Sequence, residues 1–439
     1  MKKLHIETYG CQMNVADSEV VASILSPYYN ITDSLQEADL ILLNTCSVRD
    51  NAEQRIRKRL RELASLKKKN KNLLIGLLGC MAERIKEQLF EEEKALDFIA
   101  GPDAYRTLPQ LIEKASLGMA SFNVFLSENE TYDDIEPVRY HSNGVSAFIA
   151  IMRGCNNFCS YCVVPYTRGR ERSRAPQTII DEARLLFEKG FREVTLLGQN
   201  VNSYCWKNAE TSIDFADLTE KIAQISPLLR VRYATSHPKD ISDKLLYVMA
   251  KYPNVCHYIH LPVQSGSNAM LKKMSRVYTR EYYWERIQKI KEILPDCAVS
   301  TDIIAGFCGE TEQDHQDTLD LMKTVGYEYA FMFKYSVREG TKAAEKFEDD
   351  ISEALKIKRL EEIIALQQQL SLESNKRDIG KTVTVLVEGI SKRSEQHLFG
   401  RNSQNKVCVF PKNHYNIGDY VEVKITKCTA GTLLGESLL

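Results

Sequence analysis

The amino-acid sequence predicts an α/β protein in three parts: a parallel sheet covered by helices, a larger partial barrel of strand–helix units, and a small all-β barrel. Three observations carry this. Short apolar runs alternate with amphipathic segments through residues 1–125. An acidic, proline-containing stretch breaks the alternation, which then restarts for six more units of strand and helix. The final part holds only short apolar runs separated by turn residues.

In residues 1–125 the runs "KLHIETYGC", "ADLILLNTCSV", "LLIGLLGC" and "LDFIAGP" read as strands. Between them, "NVADSEVVASIL", "RDNAEQRIRKRLRELASL" and "AERIKEQLFEEE" have helical periodicity, which is the βαβα pattern of a parallel sheet. "SENETYDDIEPVRYHSNG" reads as a linker. Residues 141–371 then carry the candidate strands "VSAFIAIMRGC", "EVTLLGQN", "RVRYATSHP", "CHYIHLPVQSG", "AVSTDIIAGF" and "YAFMFKYS", each followed by a helical segment. Six such units predict an open (β/α)6 barrel, with chemistry at the C-terminal ends of the strands. A helix rich in Glu, Leu and Gln leads into residues 374–439, where "KTVTVLVEGI", "VCVFP", "DYVEVKITKC" and "TLLGESLL" read as strands of a small barrel.

Composition narrows the function classes. The chain has 439 residues, 44% apolar and 27% charged, as ordinary globular proteins do. Glu7 interrupts any apolar run behind the basic start "MKKLHIETYG", so a signal peptide is not expected. No stretch approaches ~20 consecutive apolar residues, so no membrane partner is expected. Twelve cysteines in such a chain read as cytoplasmic thiols, for metal or catalysis rather than cross-links. The net charge is −1, so any nucleic-acid contact must rest on local charge.

The densest chemistry lies in "RGCNNFCSYCVVPYTRGRERSR", where Cys155, Cys159 and Cys162 form C-x3-C-x2-C after a candidate strand. Structural zinc wants four ligands and disulfides an even count; three close thiols suit an iron–sulfur cubane with one iron open. A zinc knuckle with a distant fourth ligand, or three inert thiols, are the plainer readings. A second set, Cys11, Cys46 and Cys80, is spaced by 35 and 34 residues, about one βα unit, each at a strand end beside a glycine or short polar residue. Such spacing would gather them along one sheet edge; unrelated buried cysteines are the plainer reading. Cys205, Cys256, Cys297, Cys308, Cys408 and Cys428 show no ligand spacing.

The other strand ends offer small or polar groups: Gly198, Gln199 and Asn200 in "LLGQNVN", Ser236 in "TSHP", Gln264 in "LPVQSGS", and Gly306 with Glu310 in "AGFCGET". His237 and His260 read as satisfied histidines rather than ligands. Arg168, Arg170, Arg172 and Arg174 alternate just after the cysteine loop and are candidates for phosphate contact, as are Lys392, Arg393, Arg401 and Lys406 in "SKRSEQHLFGRNSQNK". Residues 374–439 hold ten Lys or Arg against six Asp or Glu.

C-x3-C-x2-C with Tyr161 before the last cysteine resembles the signature of the radical S-adenosylmethionine (SAM) enzymes. "TYGCQMNVADSE", "NTCSVRDNAEQR", "GLLGCMAER", "YSVREGTKAA" and "VEGISKRSEQHLFGRNSQNKVCVF" together resemble the methylthiotransferases over essentially the whole chain, the last being similar to their TRAM barrel. "YGCQMN" resembles the branch acting on N6-dimethylallyladenosine in tRNA. The resemblance implies two 4Fe–4S clusters, one held by each cysteine triad, and two SAM per turnover. One SAM methylates a sulfur on the auxiliary cluster of Cys11, Cys46 and Cys80. The other, on the Cys155, Cys159 and Cys162 cluster, yields a 5′-deoxyadenosyl radical that takes hydrogen from C2 of the base beside the anticodon. Tyr161, Gly198, Gln199, Asn200, Ser236, Gln264, Gly306 and Glu310 would then face SAM. Also implied are a tRNA anticodon stem-loop as substrate, an electron donor such as flavodoxin or ferredoxin, and the iron–sulfur assembly machinery. A sister activity on another tRNA adenosine or a ribosomal-protein aspartate shares both clusters, whereas a zinc-dependent RNA-binding protein would share neither. Two departures stand out. Cys308 occupies a usual proline position, which is expected to loosen the turn and expose a thiol, and Arg401-Asn402 stands where Arg-Thr is usual.

Overall fold

The computed structural model describes residues 1–47, 50–85, 88–140 and 142–438, with backbone alone at 50–52. The boundary expected at residue 141 lies outside the described residues.

The first sheet is wholly parallel, in the order Tyr29–Ile31, Lys2–Thr8, Leu40–Thr45, Leu74–Gly79, Phe98–Ala100, Ser121–Asn123. Its central strand is apolar at consecutive positions, Leu40 to Leu43, because helices cover both faces and no side of it meets water. Helices Gln12–Leu25 and Leu108–Ser116 bury Val21, Leu25 and Leu111 on one face. Helices Asp50–Lys69 and Cys80–Ile85 bury Ile56, Leu60 and Met81 on the other. The two edge strands, Tyr29–Ile31 and Ser121–Asn123, are three residues each, too short to leave a periodic signal.

The connecting segment is a packed belt rather than a loose tether. Tyr132 is buried, stacks on Tyr105 at 5.6 Å, and lies under the Arg153 guanidinium at 4.9 Å. Arg139 pairs with Glu19 and Glu182 across the two domains.

All six expected barrel strands form, as two parallel three-stranded sheets. One holds Ser146–Ala150, Glu193–Leu197 and Arg230–Ala234; the other holds Tyr258–His260, Ala298–Ala305 and Tyr329–Lys334. The bridge Val231–Val255 and the hydrogen bond from the Ser236 N–H to the His260 carbonyl at 3.2 Å join the two sheets. The outer faces bury Ile149, Leu196, Val231, Ile259, Val299 and Ile303 under the surrounding helices. The inner face of the first sheet receives helix Gln12–Leu25 of the N-terminal domain, whose Met13 and Ala16 pack on Leu197. One half of the lumen is therefore filled from outside the barrel.

The C-terminal strands close into a five-stranded barrel in the order Thr382–Ile390, His397–Arg401, Val407–Pro411, Leu433–Ser437, Tyr420–Cys428. It docks at the N-terminal ends of the larger barrel's strands. Arg230 Nη1 donates to the Arg401 carbonyl at 2.7 Å, Arg232 Nη2 to the Asn402 carbonyl at 3.2 Å, and the His257 N–H to Ser403 Oγ at 2.8 Å. The N-terminal and C-terminal domains thus meet the central barrel at opposite strand ends.

Candidate active site

Cys11 precedes the first turn of helix Gln12–Leu25, Cys46 follows strand Leu40–Thr45, and Cys80 opens helix Cys80–Ile85 directly after strand Leu74–Gly79. The three parent strands are adjacent and parallel, with Thr8 opposite Asn44 and Thr45 opposite Gly79. The C-terminal edge of one sheet therefore collects all three thiols. Gly10 is obligatory there: its φ is +125° and a Cβ would lie 2.4 Å from Cys46 Cβ. Asn44 braces the edge, donating to the Asn14 carbonyl and Ser18 Oγ, each at 2.9 Å. A hydrogen bond from Cys46 lowers the Cys11 thiol to about 6, and the positive charge of Arg168 adds to this against the cost of burial.

Cys155, Cys159 and Cys162 lie in the loop between the short paired strands Met152–Arg153 and Arg172–Ser173. Gly154 adopts φ +78° and passes the Arg170 carbonyl so closely that a Cβ would sit 2.0 Å from its oxygen. Ser160 pins the loop: its N–H donates to the Met274 carbonyl and its Oγ to the Lys273 carbonyl, both at 2.9 Å, and its carbonyl accepts from the Ala343 N–H at 2.7 Å. Burial raises the Cys155 thiol to about 11 and the Cys162 thiol to about 12.

Each triad has one buried guanidinium on a sulfur. Arg168 Nε is 3.2 Å from Cys80 Sγ, while its Nη2 donates to Asn14 Oδ1 at 3.1 Å and Asp17 Oδ2 at 2.8 Å. Arg276 Nη1 is 3.2 Å from Cys159 Sγ; its other nitrogens reach the Pro262 carbonyl and the Tyr278 hydroxyl at 2.7 and 2.8 Å. Helix Val164–Arg168, just after Cys162, packs on helix Cys80–Ile85, so both triads border one domain junction.

Among the described residues no three His, Cys, Asp or Glu side chains stand as a ready set around a single metal ion. A cubane makes a different demand, since each thiolate binds a different iron and the sulfurs stand wider apart. In each triad two of the three thiols lie near one buried guanidinium, Cys11 and Cys80 near Arg168 and Cys159 and Cys162 near Arg276, which suits such an anionic cluster. Just after strands Glu193–Leu197 and Arg230–Ala234, Gln199 Oε1, Asn200 Oδ1 and Ser236 Oγ are buried with no hydrogen-bond partner among the described residues, as are both amide atoms of Asn202. Orphaned polar atoms at strand ends suit a polar ligand such as SAM. Thr235 and Gln264 are held at φ +73° and +74° at the same strand ends, where strained backbone marks ligand sites. Gly198 faces Met152, whose Cγ a Cβ would approach to 2.5 Å, and Tyr161 meets Phe307 edge-on at 6.5 Å.

Several expected residues have other partners. Glu310 is buried; its Oε2 accepts from the Gly306 N–H at 2.8 Å and from Arg359 Nη1 at 2.9 Å, so it holds the turn together. Cys308 is buried beside Phe307 and Tyr335 instead of presenting an exposed thiol. Arg168, Arg172 and Arg174 are buried against Asp17, Asp103 and Glu182 respectively; of the run only Arg170 is exposed, its guanidinium over Phe158 at 4.8 Å. Those three guanidinium groups are therefore not placed for phosphate contact. Lys406 is turned inward to Asp378 and Ser374, and Arg401 pairs with Glu388, whereas Lys392 and Arg393 are exposed. His237 is buried edge-on to Tyr278, and His260 bonds Ser300 and lies 3.3 Å from Asp302.

Sequence reasoning missed Arg276 and the pair Asp17–Arg153, whose atoms meet at 2.8 Å across the domain junction. Arg276 lies outside the cysteine motifs, while Asp17 and Arg153 lie in two different ones, with nothing in either to show that they pair.

Residues 149–322 match the radical SAM superfamily, residues 3–101 the group described as "Uncharacterized protein family UPF0004", and residues 376–438 the TRAM domain. Fold and site together define a radical SAM protein. Among curated relatives, one from Amoebophilus asiaticus is 57% identical over 99% of this chain and 92% of its own. Another, from Bacteroides fragilis, is 55% identical over 100% of this chain and 96% of its own. Both carry the name tRNA-2-methylthio-N(6)-dimethylallyladenosine synthase, and at that identity and coverage this chain belongs to their family. Among solved structures, the radical SAM methyltransferase TsrM of Kitasatospora setae aligns with TM-score 0.59 at 14% identity, over 78% of this chain and 75% of its own. The cobalamin-dependent radical SAM enzyme OxsB aligns with TM-score 0.55 at 13% identity, over 84% and 56%. These likenesses show the fold alone.

Proposed function

We propose that this protein is a tRNA methylthiotransferase that replaces the C2 hydrogen of N6-dimethylallyladenosine, beside the anticodon, with a methylthio group. The observation that carries it is the meeting of two cysteine triads at one domain junction, in a chain 57% identical to a named synthase. Cys155, Cys159 and Cys162 would hold the 4Fe–4S cluster that binds SAM, and Cys11, Cys46 and Cys80 the auxiliary cluster. When bound, these groups supply a carbon-centred radical and the transferable sulfur, which base chemistry cannot supply at an aromatic C–H. The chain's own residues do the rest. Arg168 and Arg276 place positive charge on the ligating sulfurs. Gln199, Asn200 and Ser236 offer unpartnered polar atoms to SAM. Met13 and Ala16 fill one side of the lumen and keep water out of it. The base must leave the anticodon stack to arrive there. An electron donor such as flavodoxin or ferredoxin, the iron–sulfur assembly machinery and a cytoplasmic location complete the proposal; among the described residues no helix is long and apolar enough to cross a membrane.

The test is genetic separation of the triads. Replacing Cys155, Cys159 and Cys162 by Ala should remove about half the iron and abolish 5′-deoxyadenosine formation. Replacing Cys11, Cys46 and Cys80 should also halve the iron yet leave SAM cleavage measurable, with no methylthio product. Full iron in the second triple variant would rule out the auxiliary cluster.

A further inference from the structure

The loop that carries Cys155, Cys159 and Cys162 turns an aromatic ring outward at a cost. Phe158 is held at φ +46°, a conformation that a bulky side chain adopts only under strain. Its ring stays half-buried at the surface, edge-on to Tyr166 at 6.0 Å and under the Arg170 guanidinium at 4.8 Å. Tyr166 is 45% exposed on helix Val164–Arg168. Phe125 and Leu126, 44% and 39% exposed, extend the apolar surface. A Cβ on Gly169 would lie 3.6 Å from Leu126 Cβ, and the Gly169 carbonyl accepts from the Cys155 N–H at 3.1 Å. Four large side chains from two separate segments thus crowd the outside of the cysteine loop. Apolar surface gathered at a functional loop marks contact with another macromolecule.

The rim is cationic. Arg170 is exposed and has no carboxylate partner among the described residues. Glu171 beside it is turned elsewhere, accepting from the Asn156 N–H at 3.3 Å and from Ser203 Oγ at 3.0 Å. Where the Ala343 N–H pins Ser160, Lys342 is exposed with its Nζ 3.1 Å from Ser275 Oγ. It too has no carboxylate partner among the described residues, and Glu345 is the one acid of its helix, Lys342–Lys346. Two cations around four apolar side chains have the make-up of a protein–protein contact, apolar at the centre and charged at the rim. A phosphate track needs more positive charge and less apolar surface.

We propose that this face docks a small acidic one-electron carrier protein, with Phe125, Leu126, Phe158 and Tyr166 at the centre of the contact and Arg170 and Lys342 facing carboxylates of the carrier. This rests on the function proposed above and locates its electron donor. Reductive cleavage of SAM takes one electron from outside the chain. The carrier is oxidised by that electron and the cluster proposed for the loop is reduced by it, with no bond made between the two proteins. Electron tunnelling falls steeply with distance, so the carrier must dock where the cysteine loop itself reaches the surface. Phe158 adjoins Cys159 in the chain, so a carrier seated on its ring meets the loop one residue from a candidate ligand. Such a contact is small and short-lived, below about 1,200 Å² in total.

The test follows reduction of anaerobic, cluster-loaded full-length protein by stopped-flow absorbance. Reduced flavodoxin and reduced ferredoxin serve as carriers, and dithionite as a reductant that needs no docking. At least one carrier should reduce the wild type with a second-order rate constant that falls as salt rises. The double variant Arg170→Glu, Lys342→Glu should lower that constant about ten-fold or more and flatten its salt dependence. Tyr166→Ala should raise the carrier concentration needed for half the maximal rate. Iron content, melting temperature and the dithionite rate should match the wild type in both variants. Unchanged carrier rates in both, with methylthio product still formed by the wild type, would overturn the docking face and leave the proposed function standing. Unchanged carrier rates beside weakened tRNA binding would overturn it too, and give the face to RNA. A wild type reduced by dithionite but by neither carrier would overturn it as well. A wild type that forms no methylthio product with dithionite would overturn the function itself, and the electron-donor reading with it.

Discussion

Arg276 makes no ion pair with a carboxylate among the described residues, although it is buried; its partners are a carbonyl, a hydroxyl and the Cys159 sulfur. A guanidinium taken out of water needs an anion, and the sulfur is the one group there able to become one. Arg168 differs, because the carboxylate of Asp17 already balances it. Arg276 is therefore expected to matter more to its cluster than Arg168 does. Arg276→Met removes a hydrogen bond to a charged sulfur, worth roughly 1.5–3 kcal/mol. The cluster proposed for Cys155, Cys159 and Cys162 should become harder to reduce, because the added electron loses a nearby positive charge. Electron paramagnetic resonance during a redox titration of the loaded protein checks this; Arg276→Lys should restore part of the shift. An unmoved midpoint in Arg276→Met would make the arginine a packing residue.

Helix Gln12–Leu25 carries Asp17 into the junction, where Arg153 and Arg168 of the central domain each reach its carboxylate at 2.8 Å. Those two cations hold the acid below the usual carboxylate range despite the opposing cost of burial. Asp17→Asn leaves buried Arg168 without a carboxylate and Arg153 with Asp103 alone at 3.6 Å, a loss of about 3–5 kcal/mol, to be read from denaturant unfolding of the full-length chain. A change under ~1 kcal/mol would mean that the helix is seated by Met13 and Ala16 alone. The sequence showed this helix, the three strands before the cysteines and their gathering on one edge, because βα spacing of 35 and 34 residues is itself a spatial statement. It misdirected the arginines after Cys162. Alternate arginines read as a solvent edge unless the acids that cover them are known, and Asp17 lies 151 positions from Arg168. Lys406 was misread for the same reason: Asp378 and Ser374, which take up its ammonium, belong to the turn and helix before the barrel.

For the whole molecule, a net charge of −1 leaves long-range attraction to RNA with the C-terminal barrel, where basic residues outnumber acidic ones by ten to six. Since Lys406 faces inward, Lys392 and Arg393 are the exposed cations of "SKRSEQHLFGRNSQNK" placed for phosphate. The double variant Lys392→Ala, Arg393→Ala should weaken tRNA binding and lower the slope of log affinity against log salt by roughly 1.5 to 2. Lys406→Ala should leave the slope in place and lower the melting temperature instead. Equal slopes for the double variant and the wild type would move the RNA anchor elsewhere. The seat of Asp17 also has a consequence for biosynthesis. The acid leaves the ribosome long before Arg153 and Arg168, and synthesis of the 151 residues up to Arg168 takes roughly 10–30 s. For the last 45 residues of that stretch, after Asn123 and lasting roughly 2–9 s, the first sheet is complete while its cysteine edge has no lid. The nascent chain is then most open to metal delivery, and also to oxidation of Cys11, Cys46 and Cys80.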